Sequence, residues 1–250
     1  MKIQSTSFKK RILSLMFIIA LLTCFAFNVS AESVDNSSLS ESICIDGAIA
    51  PVPGEYEKSL TKADLQKLTE KTALAEEFAA QNPPTKAATK ISIPGSFTMY
   101  QQTNGYYCVP ASVRSVIYYN SGTLISQGTI ASALGTTTSG TDFGKVPNYV
   151  NSKQNFFYAM HSSPTQSSIF TRLQSTVAGS KKPTMMRISN PSGSNWHYAT
   201  NGHALINNAV YSDNSRAQFA DPLGGTQSGW AYFYEKTAAV TANVCTHLIW

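Results

Sequence analysis

Tyr100-Gln101-Gln102-Thr103-Asn104-Gly105-Tyr106-Tyr107-Cys108-Val109-Pro110-Ala111-Ser112 is the stretch on which the fold turns. Val109, Val113, Val116 and Ile117 recur at i, i+4, i+7 and i+8. That spacing predicts a helix over residues 109–119, buried on one side. Pro110 falls in its first turn, where a missing N–H costs nothing, and Asn120-Ser121-Gly122 stops it. Cys108 therefore stands at or just before a helix N-terminus. The unpaired N–H groups and the helix dipole there favour a thiolate over a thiol. A thiolate is the nucleophile that acyl transfer needs. The competing reading is a structural cysteine, inert in apolar surroundings.

Three partners are then required. Gln102 lies six residues before Cys108. A side-chain amide held beside the nucleophile can donate to the oxyanion of a tetrahedral intermediate, together with the cysteine's own N–H. Gln101 competes for that role, but strand alternation would turn it the other way. The histidines are His161, His197, His203 and His247. His203 follows Gly202 and leads into the apolar run Ala204-Leu205-Ile206, so a strand would hold its ring rigidly. His197 sits in a Ser/Gly/Asn-rich loop and ranks as a substrate contact at best. Residues 95–250 contain only Asp142, Asp213, Asp221 and Glu235 as acids. Asp221 ends the strand-like run Ala217–Ala220 and precedes Pro222, which by itself is a common turn signal. If that run pairs with the His203 strand, its carboxylate reaches the imidazole nitrogen facing away from sulfur and fixes the tautomer.

Taken together, Gln102–Ser112, Gly202-His203 and Ala220-Asp221-Pro222 resemble the C39-like branch of the papain-like cysteine peptidases. That branch shows a Gln six residues before the Cys, a Tyr-Cys-x-Pro-Ala-Ser motif, a Gly-His at a strand start and an Asp-Pro some 15–20 residues later. The resemblance covers about residues 95–250. It implies an α+β, papain-like cysteine peptidase fold, with the nucleophile helix packed on an antiparallel sheet. By the same resemblance Cys108, His203, Asp221 and Gln102 take the roles of nucleophile, base, orienter and oxyanion donor. It implies thiol-dependent peptide hydrolysis with no metal and no cofactor. One departure is Val109, where the family often has Gly; a branched side chain there narrows the approach to Cys108.

Charge supports an enzyme rather than a nucleic-acid binder. The net charge of +5 is carried by the leader: residues 1–31 hold four basic residues and no acid, and the remainder has a net of +1. A basic footprint for nucleic acid is thus missing. Lys9-Lys10-Arg11, the apolar run from Ile12 to Phe27 and Val29-Ser30-Ala31 read as a secretory signal peptide cleaved after Ala31. The expected setting is secreted or cell-envelope associated, with no stable membrane association after cleavage. Cleavage would leave Cys44, Cys108 and Cys245. Export allows a disulfide, and Cys44 with Cys245 is one possible pairing.

Residues 32–94 carry a net of −4 and residues 95–250 a net of +5. The acidic part contains one expected helix, capped by Thr61 with Asp64 in its first turn, striped by Leu65, Leu68, Ala75 and Phe78, and ended at Pro83-Pro84. It reads either as an intramolecular pro-segment docking on the basic domain or as a linker. In the 95–250 domain, further helices are expected near 126–134, 142–152 and 166–178. Strands are expected at 155–160, 184–188, 203–211, 217–220 and 246–250. Three functions fit: a secreted peptidase acting on a peptide or protein; a cell-wall amide hydrolase or transglutaminase-like acyltransferase using the same residues; or an inactive binding module. In the last case Tyr106, Tyr107, Trp196 and Trp230 would line a groove, and in the first Tyr106, Tyr107, Trp196 and His197 are the candidate substrate contacts.

Overall fold

The computed structural model describes residues 46–194, 196–225 and 229–250. The proposed signal peptide and Cys44 lie outside the described residues. The chain enters through a two-residue strand, β1 (Ala48–Ile49), a short helix α1 (Glu55–Lys58) and a long helix α2 (Lys62–Gln81). Strand β2 (Lys90–Ser92) precedes helix α3 (Cys108–Ser121) and helix α4 (Gln127–Leu134). Strand β3 (Thr141–Asp142), helix α5 (Val146–Asn151), strand β4 (Met160–Ser162) and helix α6 (Gln166–Leu173) follow. The C-terminal part supplies β5 (Thr184–Asn190), β6 (Thr200–Tyr211), β7 (Arg216–Ala220), β8 (Phe233–Thr237), helix α7 (Ala238–Val244) and β9 (Cys245–Ile249).

Seven strands form one antiparallel sheet in the order β4-β9-β5-β6-β7-β8, with β2 also pairing β6. Period-two alternation feeds two cores, one on each face. Ala204, Ile206, Met185, Ala220 and Ile249 pack with Val109, Val113, Val116 and Ile117 of α3. Leu205, Met186, Ile188, Phe219 and Leu248 pack with Ile169, Phe170 and Leu173 of α6 and with Val244 of α7. A strand covered on both faces loses clean apolar–polar alternation, which is why β6 carries apolar side chains at adjacent positions, in Ala204-Leu205-Ile206 and Ala209-Val210.

Helix α3 ends at Gly122, whose φ of 71° is the left-handed conformation that glycine adopts at least cost. The long helix α2 begins with a capping box: the Thr61 hydroxyl accepts from the Asp64 N–H at 3.1 Å, and Asp64 Oδ2 accepts from the Thr61 N–H at 3.2 Å. Ala75 is buried in the core, and Leu68 and Phe78 pack against it. The stripe is narrower than its spacing suggests, because Leu65 is exposed. Lys71 adds an anchor at the same face. Its Nζ donates to the Phe157 carbonyl at 2.9 Å and stands 4.0 Å from the Phe156 ring centre, and burial draws its pKa down to about 7. Helix α2 and strand β2 are thus built into the body of the protein.

One local expectation needs correction. The strand expected at 155–160 is displaced to Met160–Ser162. Asn151 explains the shift: its side chain brackets Tyr158, accepting from the Tyr158 N–H at 2.7 Å and donating to the Tyr158 carbonyl at 2.8 Å. Those bonds take the place of a ladder. The pairing of Cys44 with Cys245 lies outside the described residues; among these, Cys245 is a buried thiol, and burial pushes its pKa up. Its Sγ lies 3.7 Å from the His247 carbonyl oxygen.

Candidate active site

The first turn of α3 begins at Cys108, with Tyr107 as its cap. The turn before it is tightly tied. The Tyr107 N–H donates to the Asn104 carbonyl at 3.0 Å, and the Tyr106 N–H donates to Asn104 Oδ1 at 3.3 Å. Cys108 is completely buried, and so is Val109. Val109 packs into the core beneath α3, so its branched side chain serves packing rather than narrowing the approach to sulfur.

His203 lies in β6 and Asp221 immediately after β7. These strands pair antiparallel, with Ile206 opposite Ala220. That register brings residues 18 apart in the chain into contact. His203 Nε2 and Asp221 Oδ1 are 2.9 Å apart, and both side chains are fully buried. The other ring nitrogen, Nδ1, is buried and makes no hydrogen bond of ordinary geometry. The Cys108 sulfur is close enough to act on this ring electrostatically.

Asp221 is held on every side. Oδ1 also accepts from the Leu223 N–H at 2.9 Å, and Oδ2 accepts from the hydroxyls of Tyr198 and Tyr234 at 2.6 Å each. A buried carboxylate needs such a shell, because desolvation disfavours its charge. Burial pushes the Asp221 carboxyl up, but the His203 charge and the donated hydrogen bonds outweigh it and hold it below its ordinary value. Tyr198 and Tyr234 are pushed well above theirs, first by burial and then by the neighbouring carboxylate. These two tyrosines are missing from the sequence reading. Nothing in their local spacing marks them, since a strand pairing and a loop bring them to the carboxylate.

For His203, burial alone would lower the pKa. The charges of Asp221 and Cys108 outweigh it and raise the ring to about 10. The folded-state value thus lies above the unfolded one of about 6.5, so the stabilisation is complete below about pH 6.5 and is lost as pH climbs through about 10. For Asp221 the sign is opposite: its contribution holds above about pH 3.9 and is lost as pH falls through its lower folded-state value. Melting temperature is therefore expected to decline between about pH 6.5 and 10 in the wild type, with a flatter alkaline limb in His203→Gln. Parallel melting curves across that window would contradict the ion pair.

Gln102 does not offer a free donor. Its Nε2 donates to the carbonyls of Asn104 and Gly105, both at 2.9 Å, while Oε1 is buried without a partner. Two turn carbonyls compete successfully for the amide hydrogens expected at an oxyanion, so in this geometry Gln102 braces the turn that presents Cys108. Its own N–H donates to the Pro222 carbonyl at 3.0 Å, tying that turn to the Asp221 corner. Gln101 is engaged elsewhere, its Oε1 accepting from the Tyr232 hydroxyl at 3.0 Å. Gln127, absent from the sequence reading, is a second brace: it donates to the Gln101 carbonyl at 2.6 Å and accepts from the Thr103 N–H at 3.1 Å.

The expected substrate contacts divide. Tyr106 and Tyr107 are half-buried beside Cys108, in edge contact at 5.3 Å. Trp196 is a core residue, packed edge-on against Phe219 at 5.2 Å. A groove-lining role for it is corrected accordingly: its indole serves the sheet's packing. His197 is exposed and stacks on Trp230 at 5.6 Å.

A buried thiol at a helix start, a ring aimed between it and a carboxylate, and a low-dielectric enclosure can carry out nucleophilic acyl transfer. No curated protein matches the chain. Two solved structures are similar to it. One is a putative C39-like peptidase from Bacillus anthracis, 12% identical, covering 64% of this chain and 96% of that one, with a TM-score of 0.44. The other is Xylellain, a cysteine protease from Xylella fastidiosa, 11% identical, covering 70% of this chain and 88% of that one, with a TM-score of 0.40. The sequence model of the Peptidase_C39 like family matches residues 95–243, a span that contains Cys108, His203 and Asp221. The chain belongs to the Peptidase_C39 like family and is a C39-like cysteine peptidase.

Proposed function

We propose that this protein is a secreted thiol-dependent peptide hydrolase working through Cys108, His203 and Asp221. The observation that carries the reading is the 2.9 Å contact between His203 Nε2 and Asp221 Oδ1, on a ring whose charge is also favoured by the Cys108 sulfur. Asp221 and the Cys108 sulfur favour the protonated ring, which can therefore serve as the proton donor. The thiolate attacks the scissile carbonyl carbon and forms a carbon–sulfur bond. The oxyanion is stabilised by the Cys108 backbone N–H, which the start of α3 leaves without an intrahelical partner. His203 Nδ1 gives its proton to the leaving amine as the carbon–nitrogen bond breaks. The neutral ring then takes a proton from water, whose oxygen attacks the thioester; the acid product leaves and the thiolate returns. Asp221 fixes the ring throughout, and Tyr198 and Tyr234 fix Asp221. Tyr106 and Tyr107 border the nucleophile and are the substrate contacts we retain.

The reading is checked by incubating the protein with casein and, separately, with purified peptidoglycan. Casein fragments that disappear on thiol alkylation are expected. Release of muropeptides with casein left intact would instead assign the site to cell-wall amide hydrolysis. Export is tested by following the mature N-terminus, with cleavage after Ala31 as the expected result.

A further inference from the structure

The segment from Asp46 to Ile49 runs through the cleft, and its backbone touches the nucleophile. A methyl group placed on Gly47 would stand 2.8 Å from Cys108 Sγ and 2.8 Å from the Tyr106 carbonyl oxygen. Only glycine passes there without displacing a neighbour. The facing walls are trimmed to match: a methyl group on Gly140 would stand 2.5 Å from the Gly47 carbonyl oxygen, and one on Gly202 would collide with the Ala48 carbonyl. Gly202 is the residue just before His203, so the segment passes over the Cys108 sulfur and along the start of the His203 strand.

The segment is held by bonds along its whole length. Asp46 Oδ1 accepts from the Asn201 N–H at 2.7 Å and from the Thr200 hydroxyl at 3.0 Å, while Oδ2 accepts from Asn201 Nδ2 at 2.8 Å. The Thr141 N–H donates to the Gly47 carbonyl at 2.9 Å, and Arg187 Nε donates to the Ala48 carbonyl at 2.8 Å. Ala48 and Ile49 pair in parallel with Thr141 and Asp142. Arg187 itself is buried, and its other nitrogens donate to the Asn201 carbonyl and the Thr246 hydroxyl at 2.8 Å each. Cys108 and His203 have no exposed surface in this arrangement.

We infer that Asp46–Ile49 is an intramolecular strap seated in the peptide-binding cleft, which keeps Cys108 closed to substrate until it is displaced. This rests on the peptidase reading only for what the cleft accepts; closure of the thiol is a separate property. The strap is an extended peptide with glycine over the sulfur, an acidic residue before it and a carbonyl on Arg187. A competing substrate would be an extended peptide using the same Arg187 and Thr141 donors. The helix α2 and strand β2 that follow belong to the folded body, so the inhibitory part ends before α1. Removing everything up to residue 94 would unfold the protein rather than activate it.

The test uses the full chain with Gly47→Val, which cannot sit on the sulfur, and with Asp46→Asn, which weakens the anchor without changing volume. Carboxamidomethylation of Cys108 by iodoacetamide is followed by mapping the modified residue, beside casein hydrolysis. Labelling of Cys108 is expected to rise about tenfold or more in Gly47→Val, because reactivity scales with the fraction of open molecules, and to rise less in Asp46→Asn. A synthetic peptide of residues 46–52 should slow it again, and the same peptide carrying Val at the Gly47 position should not. Cys245, buried and remote in sequence, should stay slow and so report that the fold is intact. Should Gly47→Val label Cys245 as well, Asp46→Asn alone decides. Equal Cys108 rates in wild type and folded variants would overturn the strap. Faster labelling with no casein cleavage would keep the strap and remove the peptidase reading. Unchanged labelling with casein cleavage by the wild type would do the reverse.

Discussion

Cys108→Ala is expected to abolish peptide hydrolysis, with a loss on the order of 10⁴-fold or more, while the protein stays folded. In the proposed mechanism the sulfur is the atom that bonds to the substrate, and no neighbouring side chain can replace it. Cys245 is buried with its thiol pushed toward the neutral form. The stability cost should be small, about 1 kcal/mol, because one buried atom is removed from a helix whose packing rests on Val109, Val113, Val116 and Ile117. Steady-state kinetics with a peptide substrate and thermal melting measure the two parts. Residual activity within tenfold of wild type would remove Cys108 from the mechanism.

Asp221→Ala should be the most damaging change to stability and should lower the rate as well. It strands the imidazolium, the hydroxyls of Tyr198 and Tyr234 and the Leu223 N–H in a site with no exposed surface. Removing one partner of a buried, hydrogen-bonded ion pair costs about 3–5 kcal/mol. The rate should fall by about 10⁴-fold, because the ring loses the group that fixes its tautomer and charge. Asp221→Asn should melt between the two, since it keeps the volume and one acceptor while the tyrosine hydroxyls can turn to accept. Denaturant titration orders the three proteins. An Asp221→Ala variant as stable as wild type would mean that the four donors find other partners and that the carboxylate is dispensable to the fold.

Much of the site was legible because its signals are local. Pro110 and the valine spacing place Cys108 at a helix start, and Gly202-His203 marks a strand entrance. The helices near 126–134 and 166–178 and the strands near 184–188, 203–211, 217–220 and 246–250 were legible for the same reason: apolar runs act over a few residues. Lys90–Ser92 and Phe233–Thr237 were missed. The first is three residues long, and the second keeps partly exposed side chains, so neither shows an apolar run. Gln102 shows the limit of spacing. Its distance from Cys108 fits an oxyanion donor, but the amide hydrogens go to whichever acceptors the turn brings nearest, and those are the Asn104 and Gly105 carbonyls. Trp196 was misplaced because an indole in a polar loop reads the same whether it faces a groove or the sheet.

The sequence alone determined that Cys108 stands at a helix start, that His203 lies in a strand and that Asp221 follows the next one, together with the limits of the Thr61 helix and of the Cys108 helix, because dihedral preference and periodicity are written in neighbouring residues. Only the tertiary structure decided that His203 meets Asp221 through the β6–β7 register, that Tyr198 and Tyr234 hold the carboxylate, and that Gly47 lies on the sulfur. Those contacts join positions from 13 to 61 residues apart. Which distant groups meet is set by strand register and by the exclusion of water from two cores, and neither is encoded in any short stretch of chain.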